Sequence, residues 1–122
     1  MSADEASKEV ANVFVYGTLM DKARLNVLLK RIPEMHPAKV AGYRQFYDDS
    51  LGYQNAEKDD RSNIRGMLLE GITGQELRML DHYEGMGEGS YRRAKVRAFV
   101  LDKKTWAEAF IYVKNQDKPR YF

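Results

Sequence analysis

Two short stretches of this chain carry residue types that could do chemistry together. The first is Tyr16-Gly17-Thr18-Leu19-Met20, directly after the apolar run Asn12-Val13-Phe14-Val15. A strand that stops at Gly-Thr leaves backbone N–H groups at the end of a rigid element. Such groups bind a carboxylate or stabilise a developing oxyanion. Glycine at a strand-to-helix turn also serves purely steric ends. The second stretch is Leu80-Asp81-His82-Tyr83-Glu84-Gly85. Glu84 falls at the predicted C-terminal end of a helix, where the negative end of the helix dipole opposes ionisation. Burial would raise its pKa further above the usual value of about 4.3. A Glu tuned in this way is a general base near neutral pH. The alternative is a solvated carboxylate at a frayed helix end.

Neighbouring polar residues have plainer readings. Thr18 lacks an evident base partner, which favours backbone binding over nucleophilic attack. His82 precedes Glu84 by two positions and so lies on a different helix face. His36, between Met35 and Pro37, is similarly ordinary, and neither histidine has metal-ligand spacing. Asp81 shares the helix face of Glu84. It is expected to accept a structural N–H, or to raise the pKa of Glu84 by repulsion if both are buried. Arg92, Arg93, Lys95 and Arg97 form a basic stripe, either a solvated strand face or a reader of an acidic substrate tail.

The elements that must position these residues follow from pattern. Asn12 to Tyr16 reads as a buried strand. Asp21 caps a helix running from Lys22 to Lys30, with Leu25, Leu28, Leu29 and Ile32 on one face and Pro33 marking its end. Lys39 to Tyr47 and Ile64 to Glu70 read as strands, and the polar segment from Asp48 to Asn63 as a loop, with Asp59 to Ser62 its most loop-like part. Thr73-Gly74-Gln75-Glu76 is a capping box. It opens a helix with Leu77, Leu80 and Tyr83 facing inward, stopped by Gly85, Gly87 and Gly89. Tyr91 to Leu101 and Thr105 to Val113 alternate and flank Asp102-Lys103-Lys104, predicting a hairpin. The class is α+β, a curved or closed sheet carrying two helices.

Composition bounds the function. A chain of 122 residues is expected to form one domain, residues 12–122, behind a disordered lead-in over 1–11. The absence of cysteine removes disulfides, thiolate metal sites and a Cys nucleophile, and fits a reducing cytosol. The acidic, polar start is unlike a secretory signal, and no run approaches the length of a membrane span. With 20 basic and 18 acidic residues the net charge is +2, which gives little reason to expect nucleic acid. A small β-rich nucleic-acid binder using Arg92 to Arg97 is the remote alternative.

Taken as a set, Phe14-Val15-Tyr16-Gly17-Thr18-Leu19-Met20, Leu80-Asp81-His82-Tyr83-Glu84-Gly85 and Tyr91-Arg92-Arg93 resemble the γ-glutamylcyclotransferase-like family. The likeness is strongest to the branch with the plant avirulence-induced proteins and γ-glutamylamine cyclotransferases. Ala41-Gly42-Tyr43-Arg44 and Ile64-Arg65-Gly66-Met67-Leu68 support it. The resemblance implies a small mixed β-barrel or strongly curved sheet with flanking helices and a pocket at one end. It implies a small γ-glutamyl substrate, cyclised to 5-oxoproline with release of an amine, with no cofactor and no metal, in a cytoplasmic protein. It assigns the catalytic role to Glu84 and substrate contacts to Tyr16, Gly17, Thr18, Leu19, Tyr91 and Tyr112. Tyr53-Gln54-Asn55-Ala56 departs from the Tyr-Pro-Ala stretch of many relatives, which bears on substrate choice. Since fold does not dictate activity, a non-catalytic module holding a small carboxylate is the alternative. The discriminating feature is whether Glu84 is enclosed and faces the Tyr16 to Leu19 turn.

Overall fold

The computed structural model describes residues 10–48, 53–84 and 91–114. Five strands and two helices follow in order: β1 (Val10–Val15), a 3-10 turn (Thr18–Met20), α1 (Lys22–Leu29), β2 (Glu34–Asp48), β3 (Tyr53–Thr73), α2 (Gly74–Tyr83), β4 (Tyr91–Val100) and β5 (Thr105–Lys114). Sheet order is β1-β3-β2-β4-β5, closed into a barrel. All neighbours run antiparallel except at the closure, where β1 and β5 are parallel with Val13 opposite Phe110 and Phe14 opposite Ile111. The α+β class with a closed, strongly curved sheet is thus the observed one.

Alternation along β1 separates two apolar layers. Phe14 and Tyr16 point into the barrel with Val40, Leu68 and Ile111. Val13 and Val15 point outward beneath the helices with Leu25, Leu29, Leu80 and Tyr112. Gly66 lets β3 pass close beside the end of β1: a Cβ there would lie 2.1 Å from the Val15 carbonyl oxygen.

Several boundaries differ from expectation. β1 starts at Val10, so Val10 and Ala11 belong to the sheet, while residues 1–9 lie outside the described residues. Ile32 is 50% exposed. Its helix ends at Leu29, with Lys30 in the left-handed conformation (φ 65°), so Ile32 has left the helical phase of Leu25 and Leu29.

The largest correction concerns the segment read as a loop. β3 begins at Tyr53, and Tyr53 to Lys58 pairs with Tyr43 to Asp48. Polar residues suffice there because the backbone ladder supplies the bonding and much of the ribbon faces water. The inward positions Asn55 and Ala56 are fully buried. Residues 49–52 of that segment lie outside the described residues; among the described ones, loop character survives where the ladder slips, between Ala41 and Tyr43. Gly42 there has φ +87°, and Asp59 accepts from the Arg61 amide and the Ser62 hydroxyl.

Candidate active site

Glu84 owes its position to the start of its helix. Thr73 and Glu76 form the capping box in full, and Arg31 clamps Glu76 through Nε at 2.6 Å and Nη2 at 2.7 Å. Leu80 is fully buried against the barrel wall, which fixes the rotation of α2. One turn later Glu84 caps the helix, its N–H donating to the Leu80 carbonyl at 2.9 Å. The carboxyl is largely withdrawn from water, and that burial pushes its pKa up to about 7. Its charge bears on Tyr16 and Tyr112, raising the pKa of each beyond what their own burial does. The glycines expected to stop the helix, Gly85, Gly87 and Gly89, lie outside the described residues.

The turn after β1 meets α2 directly. Thr18 Oγ1 and the Tyr83 hydroxyl share a hydrogen bond of 3.0 Å, and Arg24 donates to the same hydroxyl at 3.3 Å. Tyr83, expected to face inward, is therefore a half-exposed bridge between the two segments. The 3-10 turn closes with Met20 N–H to the Gly17 carbonyl and Asp21 N–H to the Thr18 carbonyl. The N–H groups of Gly17, Thr18 and Leu19 open the turn and have no acceptor within it. Leu19 is a core side chain, so only its amide is offered to a ligand. Asp21 caps α1 by accepting from Ala23 N–H, as its position predicts.

Tyr16 is buried; its hydroxyl donates to the Tyr112 carbonyl at 2.6 Å, and its own carbonyl accepts from Gln45 Nε2 at 3.1 Å. Tyr112 donates its hydroxyl to Asp81 Oδ1 at 2.5 Å, and Arg93 Nε sits 3.0 Å from the same oxygen. Asp81 thus accepts the Tyr112 O–H and pairs with the Arg93 guanidinium. The shift of Glu84 arises from burial rather than from Asp81. Tyr91, also buried, donates to Asn55 Oδ1 at 2.5 Å and so ties β4 to the β2–β3 ribbon, whereas Tyr16, Tyr112 and the end of α2 are tied to one another. Gln45 escaped the sequence reading, and Asn55 entered it only as a departure from the family pattern. Their one sequence signal is a polar residue within an alternating strand.

Other candidates lie apart. Arg92, Lys95 and Arg97 are on the expected solvated face, with Arg97 stacked on the exposed Trp106 ring at 5.1 Å, whereas Arg93 is half-buried and stacks on Phe110 at 4.8 Å. His82 lines an open groove between the helices with Leu28, Gln75, Arg78 and Met79. His36 is far from ordinary: Nε2 lies 2.6 Å from Glu34 and 3.3 Å from Glu70, and Nδ1 2.9 Å from Asp102. The ligand atoms of Glu34, His36 and Glu70 lie within 4.8 Å of one another, a spacing compatible with a cation. Lys103 Nζ already stands 3.3 Å from Glu70 and 3.9 Å from Glu34 and balances their charge. The sequence signal here was the period-two pair Glu34 and His36 on one strand face. Among the described residues no helix is long and apolar enough to cross a membrane.

A closed five-strand barrel carries an acid at the end of its second helix, next to Tyr83, which bonds Thr18 of the Gly-Thr turn. Residues 13–121 match the family described as gamma-glutamyl cyclotransferase, AIG2-like. The chain belongs to this family. It is 38% identical over 111 residues to the "Gamma-glutamylcyclotransferase and putative RNase" of Methanocaldococcus jannaschii, covering 91% of this chain and 49% of that protein. It is 32% identical over 116 residues to AIG2-like protein C of Arabidopsis thaliana, covering 93% and 65%. A solution structure of an Arabidopsis thaliana protein superimposes with a TM-score of 0.80 at 30% identity, covering 92% of this chain and 67% of that one. The chain spans about half the length of the archaeal relative and about two thirds of the plant ones. Membership supports a cyclotransferase type of function and fits a small-molecule substrate.

Proposed function

We propose that this protein converts a γ-glutamyl amine or γ-glutamyl amino acid to 5-oxoproline and a free amine, with Glu84 as general acid and base. The observation that carries this reading is the burial of Glu84, which raises its pKa to about 7 where α2 meets the Tyr16 to Leu19 turn. A carboxyl with that pKa is half ionised near neutrality and can both take and return a proton.

Both reacting groups belong to one molecule, so the site's first task is to hold the substrate folded, with its α-nitrogen against its γ-carbonyl carbon. The Glu84 carboxylate takes a proton from the α-ammonium. The freed nitrogen pair forms a bond to the γ-carbon, and the carbonyl π electrons move to oxygen. The Gly17, Thr18 and Leu19 amides are suited to donate to that oxygen, to the substrate α-carboxylate, or to both. Protonated Glu84 gives its proton to the leaving nitrogen, the oxygen's electron pair re-forms the carbonyl, and the bond from the γ-carbon to that nitrogen breaks. The Glu84 carboxylate so regenerated takes the second proton from the ring nitrogen and passes it to the departing amine, which leaves as an ammonium. Glu84 carries the transferred protons, and no step calls on a cofactor. Tyr16, Tyr91 and Tyr112 would form the walls. A cytoplasmic location suits a cysteine-free chain acting on a small metabolite.

A non-catalytic carboxylate binder would not benefit from a buried acid beside its anion site, since the two negative charges repel. The test is release of 5-oxoproline from a panel of γ-glutamyl amines and γ-glutamyl amino acids by the purified protein and its Glu84→Gln variant. Turnover by the native protein and loss in the folded variant are expected. No release from any compound, or normal turnover by the variant, would overturn the assignment.

A further inference from the structure

The helices cover only part of the outer barrel surface, where Val13, Val15, Leu69 and Tyr112 lie beneath them. Farther along β4 and β5 the outer face is bare. Ala94, Val96 and Ala98 of β4 and Ala107 and Ala109 of β5 pack toward the barrel interior. The alternate residues Lys95, Arg97, Phe99 and Trp106 therefore point outward. The register sets Arg65, Lys39, Phe99 and Trp106 side by side in one row across β3, β2, β4 and β5. With strands about 4.8 Å apart, the row is roughly 14 Å across. Trp106 is 51% exposed and meets Phe99 edge to face at 5.1 Å. Arg97 stacks on the Trp106 ring, and Lys39 Nζ stands 5.9 Å from the Phe99 ring centre.

These cations have no acid to answer them. Among the described residues, Lys39, Arg65, Lys95 and Arg97 form no ion pair with a carboxylate. Arg65 and Lys39 are directly opposed like charges, an arrangement that costs a sheet stability. The two hairpin strands carry one acid, Glu108, opposite Arg97. The net charge of +2 conceals this imbalance, because the acids gather elsewhere: Glu34, Glu70 and Asp102 around His36, Glu57 and Asp59 around Arg44. Unanswered cations call for an anion, and bare rings between them call for a flat partner. An acidic peptide would use the cations and leave the rings idle. A lipid surface takes a broad apolar face, and Trp106 alone projects here. Unpaired bases on a phosphate backbone use both features, since every base has a face that stacks on an aromatic ring or a guanidinium.

We infer that this outer face is a second binding site, for a single-stranded nucleic acid: bases stack on Trp106 and Phe99 while phosphates pair with Lys39, Arg65, Lys95 and Arg97. Trp106 stands about 20 Å along β5 from Tyr112, so this site does not rest on the cyclotransferase reading. Either can fail without the other.

Trp106 is the chain's one tryptophan, so its fluorescence reports the site directly. The experiment titrates the full chain with oligouridylate and with oligothymidylate at several salt concentrations. Saturable quenching of Trp106 is expected as a base stacks on the indole. Log K should fall against log salt with a slope of about −3, from four phosphates at roughly 0.7 each. Arg97→Gln should reduce that slope to about −2. Trp106→Ala, followed by the anisotropy of a labelled strand, should weaken binding about tenfold, and Trp106→Phe should recover most of the loss. Trp106→Ala leaves release of 5-oxoproline at the native level. Binding of either strand in this way supports the inference, and the tighter of the two tells whether the 2′-hydroxyl is read. The absence of quenching by both strands at low salt overturns it. Equal quenching by oligoglutamate also overturns it, as does a blue shift of Trp106 on phosphatidylserine vesicles with neither strand bound. The native titrations need no substitution, so a variant that failed to fold would leave the test intact.

Discussion

Glu84 and His36 both hold a proton more tightly than free side chains do, for opposite reasons. The pKa of Glu84 rises because burial penalises its charged form. The pKa of His36 rises chiefly because Asp102 and then Glu34 hydrogen-bond to its charged form. Glu84 lies where α2 meets the turn after β1. His36 lies where β2, β3 and the β4–β5 turn come together. An acid left without compensation stores free energy that a substrate ammonium can release on binding. A compensated imidazolium stores none and acts as a clasp between strands. A perturbed pKa is therefore a weak marker of a site by itself; the sign of its cause separates a poised group from a satisfied one.

The largest expected effect tests the poised half of that contrast. Glu84→Gln should lower kcat for 5-oxoproline release by roughly 10²–10⁴-fold, the usual contribution of a general base. His36→Gln should leave turnover unchanged. Equal losses in the two variants would erase the distinction. The pH profile sharpens it: kcat/KM should rise with pH along a limb centred at about 7, the pKa of Glu84 in the free protein. A limb centred near 4.5, the ordinary Glu value, would mean that burial does not tune the base.

Stability should respond next, with a definite sign. The folded-state pKa of Glu84, about 7, lies above its ordinary value of 4.5, so the folded protein binds that proton more tightly than the unfolded chain does. Folding is then penalised progressively as pH rises from 4.5 to 7, and the penalty levels off above. Glutamine carries no charge to penalise. Glu84→Gln should thus be more stable than the native protein at pH 8, by roughly 2–3 kcal/mol, and equal to it near pH 4. Urea denaturation at the two pH values measures this. A variant less stable at pH 8 would show that the carboxylate has a compensating partner and is not poised.

What the sequence disclosed divides along the same physical line. Caps and turns were legible because their chemistry is local: Asp21 before α1, the Thr73 and Glu76 box, and the Asp102 to Lys104 turn each act within a few residues. The meeting of α2 with the turn after β1 was legible only through the family resemblance, since no local rule brings those segments together. The parallel pairing of β1 with β5 has no local signature either. Tyr53 to Asn63 misled because polar composition reports exposure, while strand formation there depends on a partner ladder. The partners of Asp81 could not be named because both, Tyr112 and Arg93, come from strands later in the chain. His36 was passed over for the same reason: Glu70 and Asp102 reach it through tertiary structure, and only Glu34 is a sequence neighbour on its face.

The smallest expected effect tests the clasp. The pKa of His36 is raised above 6.5. Its ion pairs therefore add stability in full below 6.5, and that contribution fades as pH climbs through the raised value. The Glu34 and Asp102 side chains are 62% and 48% exposed, so solvent screening keeps the contribution small. Lys103 makes a separate contact with Glu70 that joins the β4–β5 turn to β3 without the imidazole. Relative to the native protein, His36→Gln should show its largest deficit in urea midpoint near pH 6 and almost none at pH 9. The native–variant difference thus shrinks with rising pH, whereas for Glu84→Gln it grows over the same range. A His36→Gln deficit that widened toward pH 9 would mean that the neutral imidazole is the stabilising form, and the two groups would then differ in location but not in kind.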